Sequence, residues 1–156
     1  MTRVFTAGWL LFLSLAMSTC ARPEDPARVQ LHERLKQATP LSDEDLARFC
    51  REVSRTVEDK NFRLKDGDTT QELRGEQHAV VFGMLSNRAG LYDEGLRREG
   101  GISYRVLNGP GRSNNAEIEA TQRLWIAVET FLPARYEFTY AFPGNGDYAY
   151  DLIVER

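Results

Sequence analysis

The pattern of apolar and polar positions predicts two strands at the C-terminal end of the chain. Aromatic residues occupy every second position from 136 to 142, and a similar alternation resumes from 148 to 154 after the turn at 143–147. Such alternation is typical of strands that are buried on one face only. The pattern therefore predicts an antiparallel pair joined by this turn.

A helical pattern is clearest after Ser42. Ser42 can cap a helix, Asp45 lies at the capping-box position, and Leu41 can pack onto Leu46 across the first turn. The apolar residues that then share one face are Leu46, Phe49, Cys50, Val53 and Val57. This spacing predicts an amphipathic helix that ends between residues 59 and 61.

Two shorter elements follow from local signals. Asp25 before Pro26 can cap a helix that ends near Ala38. Residues 91–98 and 102–107 are typical of a hairpin around a Gly-Gly turn. In the second strand of this hairpin the pattern places three residues on one face, namely Ile102, Tyr104 and Val106.

Residues 70–86 and 116–132 each fit both a helix and a strand. In the first segment the apolar run has helical spacing, but Gly75 and Gly83 disfavour a helix. The turn-rich sequence that follows favours a buried strand over residues 78–85. In the second segment, helical spacing and alternation fit equally well.

Together these elements predict an α+β fold, in which N-terminal helices pack on a curved, mainly antiparallel sheet of four to six strands. Residues 29–156 would form the single domain. Removal of residues 1–19 would leave 137 residues, enough for one domain with a real core.

The N-terminus has the pattern of an export signal. Arg3 precedes an apolar run over residues 4–17, which is too short for a comfortable membrane span. Ser18 and Thr19 before Cys20 resemble a bacterial lipobox, in which the cysteine is acylated. We therefore expect a signal peptide over residues 1–19; cleavage after Ala21 and an uncleaved anchor are the alternatives.

Cys20 is accordingly the predicted lipid attachment residue. Residues 20–28 contain two prolines and alternating charges, as expected of an extended tether. Ala21 resembles the residues that permit sorting to the outer membrane. The expected location is the periplasmic side of a membrane, with the outer membrane favoured, and the membrane would be contacted through the N-terminal lipid.

Charge and cysteine content narrow the classes of partner. Residues 1–19 carry one basic and no acidic residue, so the net charge of −3 becomes −4 after cleavage, which argues against nucleic acid as a partner. Cys50 is the second of two cysteines, so a framework of disulfides is not expected. Its position among apolar residues predicts a buried thiol.

The segment from Trp125 to Glu137, WIAVETFLPARYE, resembles the Trp-Ile-Asp…Thr-x-Leu-Pro-x-Arg-x-Glu hairpin of exported lipoproteins of the lipoprotein-carrier and lipoprotein-sorting type. The resemblance implies a strand, a turn and a returning strand in a curved sheet that shelters acyl chains. Ala127 departs from the usual Asp. Candidate ligand-facing residues are Trp125, Tyr136, Phe138 and Tyr140, although the aromatic residues of such strands more often build a core.

No catalytic or metal-binding motif is recognisable, and no cofactor is predicted. His32 is expected on an exposed helical position, and His78 beside Glu76 is a general base only in principle. Five arginines are expected on a solvated face rather than in an anion site: Arg97, Arg98, Arg105, Arg112 and Arg123.

The sequence therefore predicts a non-enzymatic lipoprotein of the cell envelope, which binds an envelope protein or an apolar ligand. A soluble periplasmic or secreted lipid carrier is the first alternative, and an uncharacterised enzyme is the second.

Overall fold

The computed structural model describes residues 25–111, 118–142, 144 and 146–155. Within these ranges the chain forms three helices and one sheet of seven strands. The helices are α1 (Pro26–Leu35), α2 (Asp43–Glu58) and α3 (Glu76–Ser86). The strands are β1 (Arg63–Asp66), β2 (Thr69–Glu72), β3 (Tyr92–Glu99), β4 (Ile102–Pro110), β5 (Glu119–Ala127), β6 (Pro133–Phe142) and β7 (Gly146–Glu155). The α+β class is confirmed, with one strand more than the predicted upper limit.

The sheet is antiparallel and open, with the strand order β2-β1-β7-β6-β5-β4-β3. Strands β3 to β7 follow one another as a meander. The β1–β2 hairpin extends the sheet at the β7 end of this meander, where Leu64 of β1 pairs with Val154 of β7. The first two strands of the described chain therefore lie beside its last strand in one sheet.

Helix α2 forms as its sequence pattern predicts. The Asp45 N–H donates to the Ser42 hydroxyl at 3.2 Å, which caps the helix, and the helix ends at Glu58. All five predicted apolar residues are buried, and Phe49 and Val53 are completely inaccessible. This face supplies the helical side of the core.

Helix α1 starts at Pro26, inside the residues predicted as a tether. Asp25 caps it by accepting a hydrogen bond from Ala27, and the helix ends at Leu35, three residues before the predicted end. Leu31 and Leu35 are buried. Cys20 and the predicted signal peptide lie outside the described residues.

Residues 76–86 form helix α3, so the expected strand over residues 78–85 is wrong. The buried residues lie on one helical side, and they are Val81, Phe82, Met84 and Leu85. Phe82 packs against Phe62 with ring centroids 5.3 Å apart. Burial of this side outweighs the low helix propensity of Gly83.

The hairpin turns explain the strand register. Gly100 and Gly101 join β3 to β4 with φ of 55° and 81°, which matches the positive φ values required by a type I′ turn.

The second ambiguous segment, residues 116–132, forms a strand over Glu119–Ala127, which is β5. A turn at residues 128–132 then leads into β6, which is the strand, turn and returning strand that the resemblance at Trp125–Glu137 implies.

The two faces of the sheet differ in what they contact. The inner face, which includes Leu107, Leu124 and Tyr136, packs with the helices in one hydrophobic core. The outer face carries the alternate positions, including Tyr104 and Trp125, which are half-buried. None of the helices in the described part of the chain is long and apolar enough to cross a membrane.

Candidate functional site

The four candidate ligand-facing aromatic residues do not form one surface. Tyr136, Phe138 and Tyr140 lie on the inner face of β6, whereas Trp125 on β5 pairs with Arg135 and lies on the outer face. Because neighbouring residues of a strand point to opposite sides, a single wall containing all four is excluded.

The inner aromatic residues belong to the packed core. Tyr136 and Phe138 are only 3% and 7% exposed, and the rings of Phe138 and Tyr140 lie 4.5 Å apart. The Tyr136 hydroxyl donates to Gln122 Oε1 at 3.2 Å, and Gln122 Nε2 donates to the Pro110 carbonyl at 2.8 Å. Burial raises the pKa of Tyr136, which keeps this phenol protonated.

Trp125 is the centre of the outer face. Its ring meets the Tyr104 ring edge-on at a centroid distance of 6.0 Å, and the Arg135 guanidinium lies 5.0 Å from the Trp125 ring centroid. Val106 is buried beside them although it faces away from the helices. Isoleucines at positions 102 and 153 are each 47% exposed nearby on this face.

Charged residues surround this aromatic centre in a connected network. On one side, Glu94 Oε1 accepts from Asn108 at 2.6 Å and from Arg123 Nε at 2.8 Å. Arg123 also approaches Glu137 at 3.6 Å. The network continues from Glu137 to Arg135, which lies 3.3 Å away.

Arg135 links this network to two further carboxylates. It donates to Asp151 through Nε at 2.6 Å, and it lies 3.9 Å from Glu99. The hydrogen bond to Asp151 raises the pKa of Arg135, so its charge is permanent. The network thus surrounds the aromatic centre with four carboxylates and two guanidinium groups.

Arg105 stabilises the fold from a buried position, so the predicted position on a solvated face is wrong. It was expected on a solvated face with other arginines, but its side chain is completely buried on the inner face. Burial lowers the pKa of Arg105, and the Asp93 carboxylate opposes that shift. The Arg105 Nη1 donates to Asp93 at 2.8 Å.

The remaining donors of Arg105 hold the end of helix α1. Its Nε donates to the Leu35 carbonyl at 2.9 Å. Its Nη2 donates to the Arg34 carbonyl at 3.0 Å and also to the Gln37 carbonyl. Nη1 also donates to the Thr39 carbonyl at 3.0 Å. All five guanidinium N–H groups are therefore used, by Asp93 and by four carbonyls in the last turn of α1 and the residues that follow it.

Asp93 binds the linker between α1 and α2. Its Oδ2 accepts from the Leu41 N–H at 2.8 Å, and its Oδ1 accepts from the Gly95 N–H at 2.9 Å.

The other arginines predicted to share a solvated face with Arg105 do not lie near it. Arg97 and Arg98 are exposed on β3, and Arg112 lies outside the described residues.

Phe131 fastens the β5–β6 turn to the helices. It has a φ of 58°, which is unfavourable for a residue with a side chain, yet its ring is buried. The ring packs 5.7 Å from Phe49, and the Arg28 guanidinium lies 5.3 Å from its centroid. Burial of the ring thus offsets the backbone strain.

The two histidines differ in their surroundings. His32 is 27% exposed rather than fully exposed, because α1 packs beside the β5–β6 turn. Its Nε2 lies 3.0 Å from Glu129 Oε2, without hydrogen-bond geometry. His78 packs edge-on against Phe82 at 4.7 Å, and within the described residues no acid is hydrogen-bonded to it.

Two grooves flank helix α3. The groove between α2 and α3 has a volume of about 380 Å³ and is lined by residues that include Val57, His78 and Phe82. The second, of about 190 Å³, lies between α3 and the ends of β4 and β5. Ala79 and Gly83 line both grooves.

Cys50 is buried on α2, as predicted. Burial raises the pKa of its thiol to about 11, so the thiol is neutral and poorly nucleophilic. Within the described ranges no group of three or more His, Cys, Asp or Glu side chains is placed to hold a metal ion.

Comparisons with known proteins add no assignment to this geometry. No protein-family model matches the chain, and the comparisons with curated proteins and with solved structures found no match. The resemblance of Trp125–Glu137 to exported lipoproteins therefore stays a prediction.

Proposed function

We propose that this chain is a non-enzymatic lipoprotein of the cell envelope, anchored through Cys20, which binds a partner protein on the outer face of its sheet. The observation that carries the proposal is the aromatic centre of Trp125, Tyr104 and Arg135. Trp, Tyr and Arg are the residues that most often dominate protein interfaces. Polar groups around such a centre form the rim of an interface.

Charge suggests the chemistry of the partner. The network on the outer face contains Glu94, Glu99, Glu137 and Asp151 against Arg123 and Arg135. Arg97, which pairs with Tyr104, and Lys65, which pairs with Ile153, add cations to the same face, so we expect a partner whose rim carries charges of both signs. Binding should accordingly weaken as salt is added, because exposed charges are screened.

The lipid-carrier alternative has weaker support. A carrier of the kind implied by the resemblance needs space on the helix-facing side of the sheet. Tyr136 and Phe138 fill that side with side chains and are nearly inaccessible. Among the described residues, the α2–α3 groove is a space that an apolar ligand could enter. Native mass spectrometry of gently purified protein tests this alternative, since a carrier would retain a lipid.

Photo-crosslinking in the producing cells tests partner binding. A crosslinking residue at position 104 is expected to form an adduct with another protein, whereas one at position 29, an exposed site on α1, is expected to form none. The variants Trp125→Ala and Arg135→Ala should weaken the adduct. Absence of an adduct at position 104, or equal adducts at both positions, would contradict binding on the outer face.

The anchor needs a separate experiment. Metabolic labelling with a fatty-acid analogue should mark the full chain and should be lost in Cys20→Ser. Labelling that persists in this variant would overturn attachment at Cys20.

A further inference from the structure

Helix α3 is apolar around most of its circumference, but only one side is buried. Val81, Phe82, Met84 and Leu85 face the core. The opposite side carries Ala79, Val80 and Gly83, with Val80 40% exposed and open space around the Gly83 α-carbon. A helix that is apolar all round is normally covered on every side.

The shape of this region is self-complementary. The open side of α3 is a ridge with one groove on each flank, and both grooves reach Ala79 and Gly83. Helices pack by placing the ridge of one into the groove of another. Small side chains at positions 79 and 83 permit a close approach. Each copy of α3 therefore offers both a ridge and a groove, which are the two surfaces that a second copy needs for packing.

The charges at the ends of α3 are also self-complementary. Glu76 is the first residue of the helix, and Arg88 follows its last turn; both are exposed. Within the described part of the chain neither has an ion-pair partner. When two copies of the helix pack antiparallel, Glu76 of one copy lies at the end where Arg88 of the other is found.

We propose that the open side of α3 is the contact surface between two copies of this chain, packed antiparallel about a two-fold axis between residues 80 and 83. Such an isologous contact uses the same patch on both copies. An 11-residue helix is about 16 Å long, so the contact belongs among the small and weak interfaces. Association is therefore expected to be reversible.

Disulfide crosslinking of the full chain in its producing cells tests the contact. Gly83→Cys places a thiol beside the proposed axis, where a new β-carbon meets no neighbour. Oxidation should yield a species of twice the mass of the chain. Thr70→Cys, on exposed β2, is the matched control and should yield no such species above the level of the unchanged chain.

Charge reversal then tests the antiparallel arrangement. In the Gly83→Cys background, Glu76→Arg or Arg88→Glu alone should lower the crosslinked yield at least about tenfold, because like charges would face each other. The double reversal should restore it. Asp43→Arg makes the same change at the exposed start of α2 and should leave the yield unchanged.

Three outcomes would overturn the proposal. They are a Gly83→Cys yield no higher than the Thr70→Cys control, an adduct of any mass other than twice that of the chain, and failure of the double reversal to restore the yield.

Discussion

Strand β3 offers a comparison between two arginine–carboxylate pairs that differ mainly in their surroundings. Asp93 binds Arg105 on the inner face, and the next residue, Glu94, binds Arg123 on the outer face. Both pairs have an N···O distance of 2.8 Å. Yet the first pair is completely buried, whereas Arg123 is 48% exposed.

Distance therefore does not decide what each pair contributes. A buried charge that loses its partner has no water to replace it, so removal of one partner of the inner pair should strongly destabilise the fold. The exposed pair exchanges its partner for water at little cost. The inner face is thus fixed by its own contacts, whereas the charged side chains of the outer face can exchange their partners for water.

The largest effect is expected from the inner pair. Arg105→Met should lower the free energy of unfolding by about 3–5 kcal/mol, because it leaves Asp93 buried without a counter-charge. It also removes the donors that bind the carbonyls at the end of α1. Urea denaturation followed by circular dichroism measures the change. A loss below about 1 kcal/mol would mean that the two pairs are equivalent.

A smaller effect is expected at Phe131, whose buried ring holds the β5–β6 turn against the helices. Both Phe131→Ala and Phe131→Gly lose the buried ring, but only glycine tolerates a φ of 58° without strain. The glycine variant should therefore be more stable than the alanine variant by about 1 kcal/mol. Comparison of their urea midpoints measures this difference, and the usual order, with alanine more stable, would argue against strain at this turn.

Asp45 makes part of the stability dependent on pH. The hydrogen bond from Arg34 lowers the pKa of the Asp45 carboxyl below its ordinary value of 3.8, although burial opposes the shift. The unfolded chain therefore binds this proton at a higher pH than the folded chain does. The resulting stabilisation is complete above the ordinary value and is lost as the pH falls through the folded pKa.

The test of Asp45 is a comparison of two unfolding curves. The native chain should be more stable than Asp45→Asn at pH 6, and the difference should shrink as the pH is lowered below 3.8. Thermal unfolding at several pH values measures it. A difference that stays constant down to pH 2 would show that charge is not its cause.

The smallest effect is expected on the outer face. Arg123→Met should change the free energy of unfolding by less than about 1 kcal/mol, because its ion pairs are exposed. The same variant should weaken the adduct formed from position 104 if the network contributes to partner binding. A large loss of stability would show that the outer network is a structural element instead.

Much of the fold follows from local patterns, and the departures have physical causes. The apolar face of α2 and the alternation in β6 predicted their elements because one side of each is buried. Residues 78–85 lack a polar side, so periodicity could not distinguish a helix from a strand. The outcome depends on packing against Phe62 and α2, which are distant in the sequence.

The candidate site was harder to predict than the fold. Trp125 and Tyr136 were grouped by their aromatic character, but register places them on opposite faces. Arg105 was missed because a buried arginine is rare and its partners come from distant segments. The sequence did contain a signal for its burial. Because side chains alternate along a strand, Arg105 must lie on the face opposite Tyr104 and Val106, together with Leu107.

The contacts of Arg105 also constrain the order in which the domain can fold. The helix α1 carbonyls that it binds precede it by up to 71 residues. When the chain is made or delivered from its N-terminus, α1 emerges long before Arg105 does. The end of α1 cannot make these contacts until Arg105 has emerged, so the docking of a helix near the start of the described residues depends on a side chain up to 71 positions later.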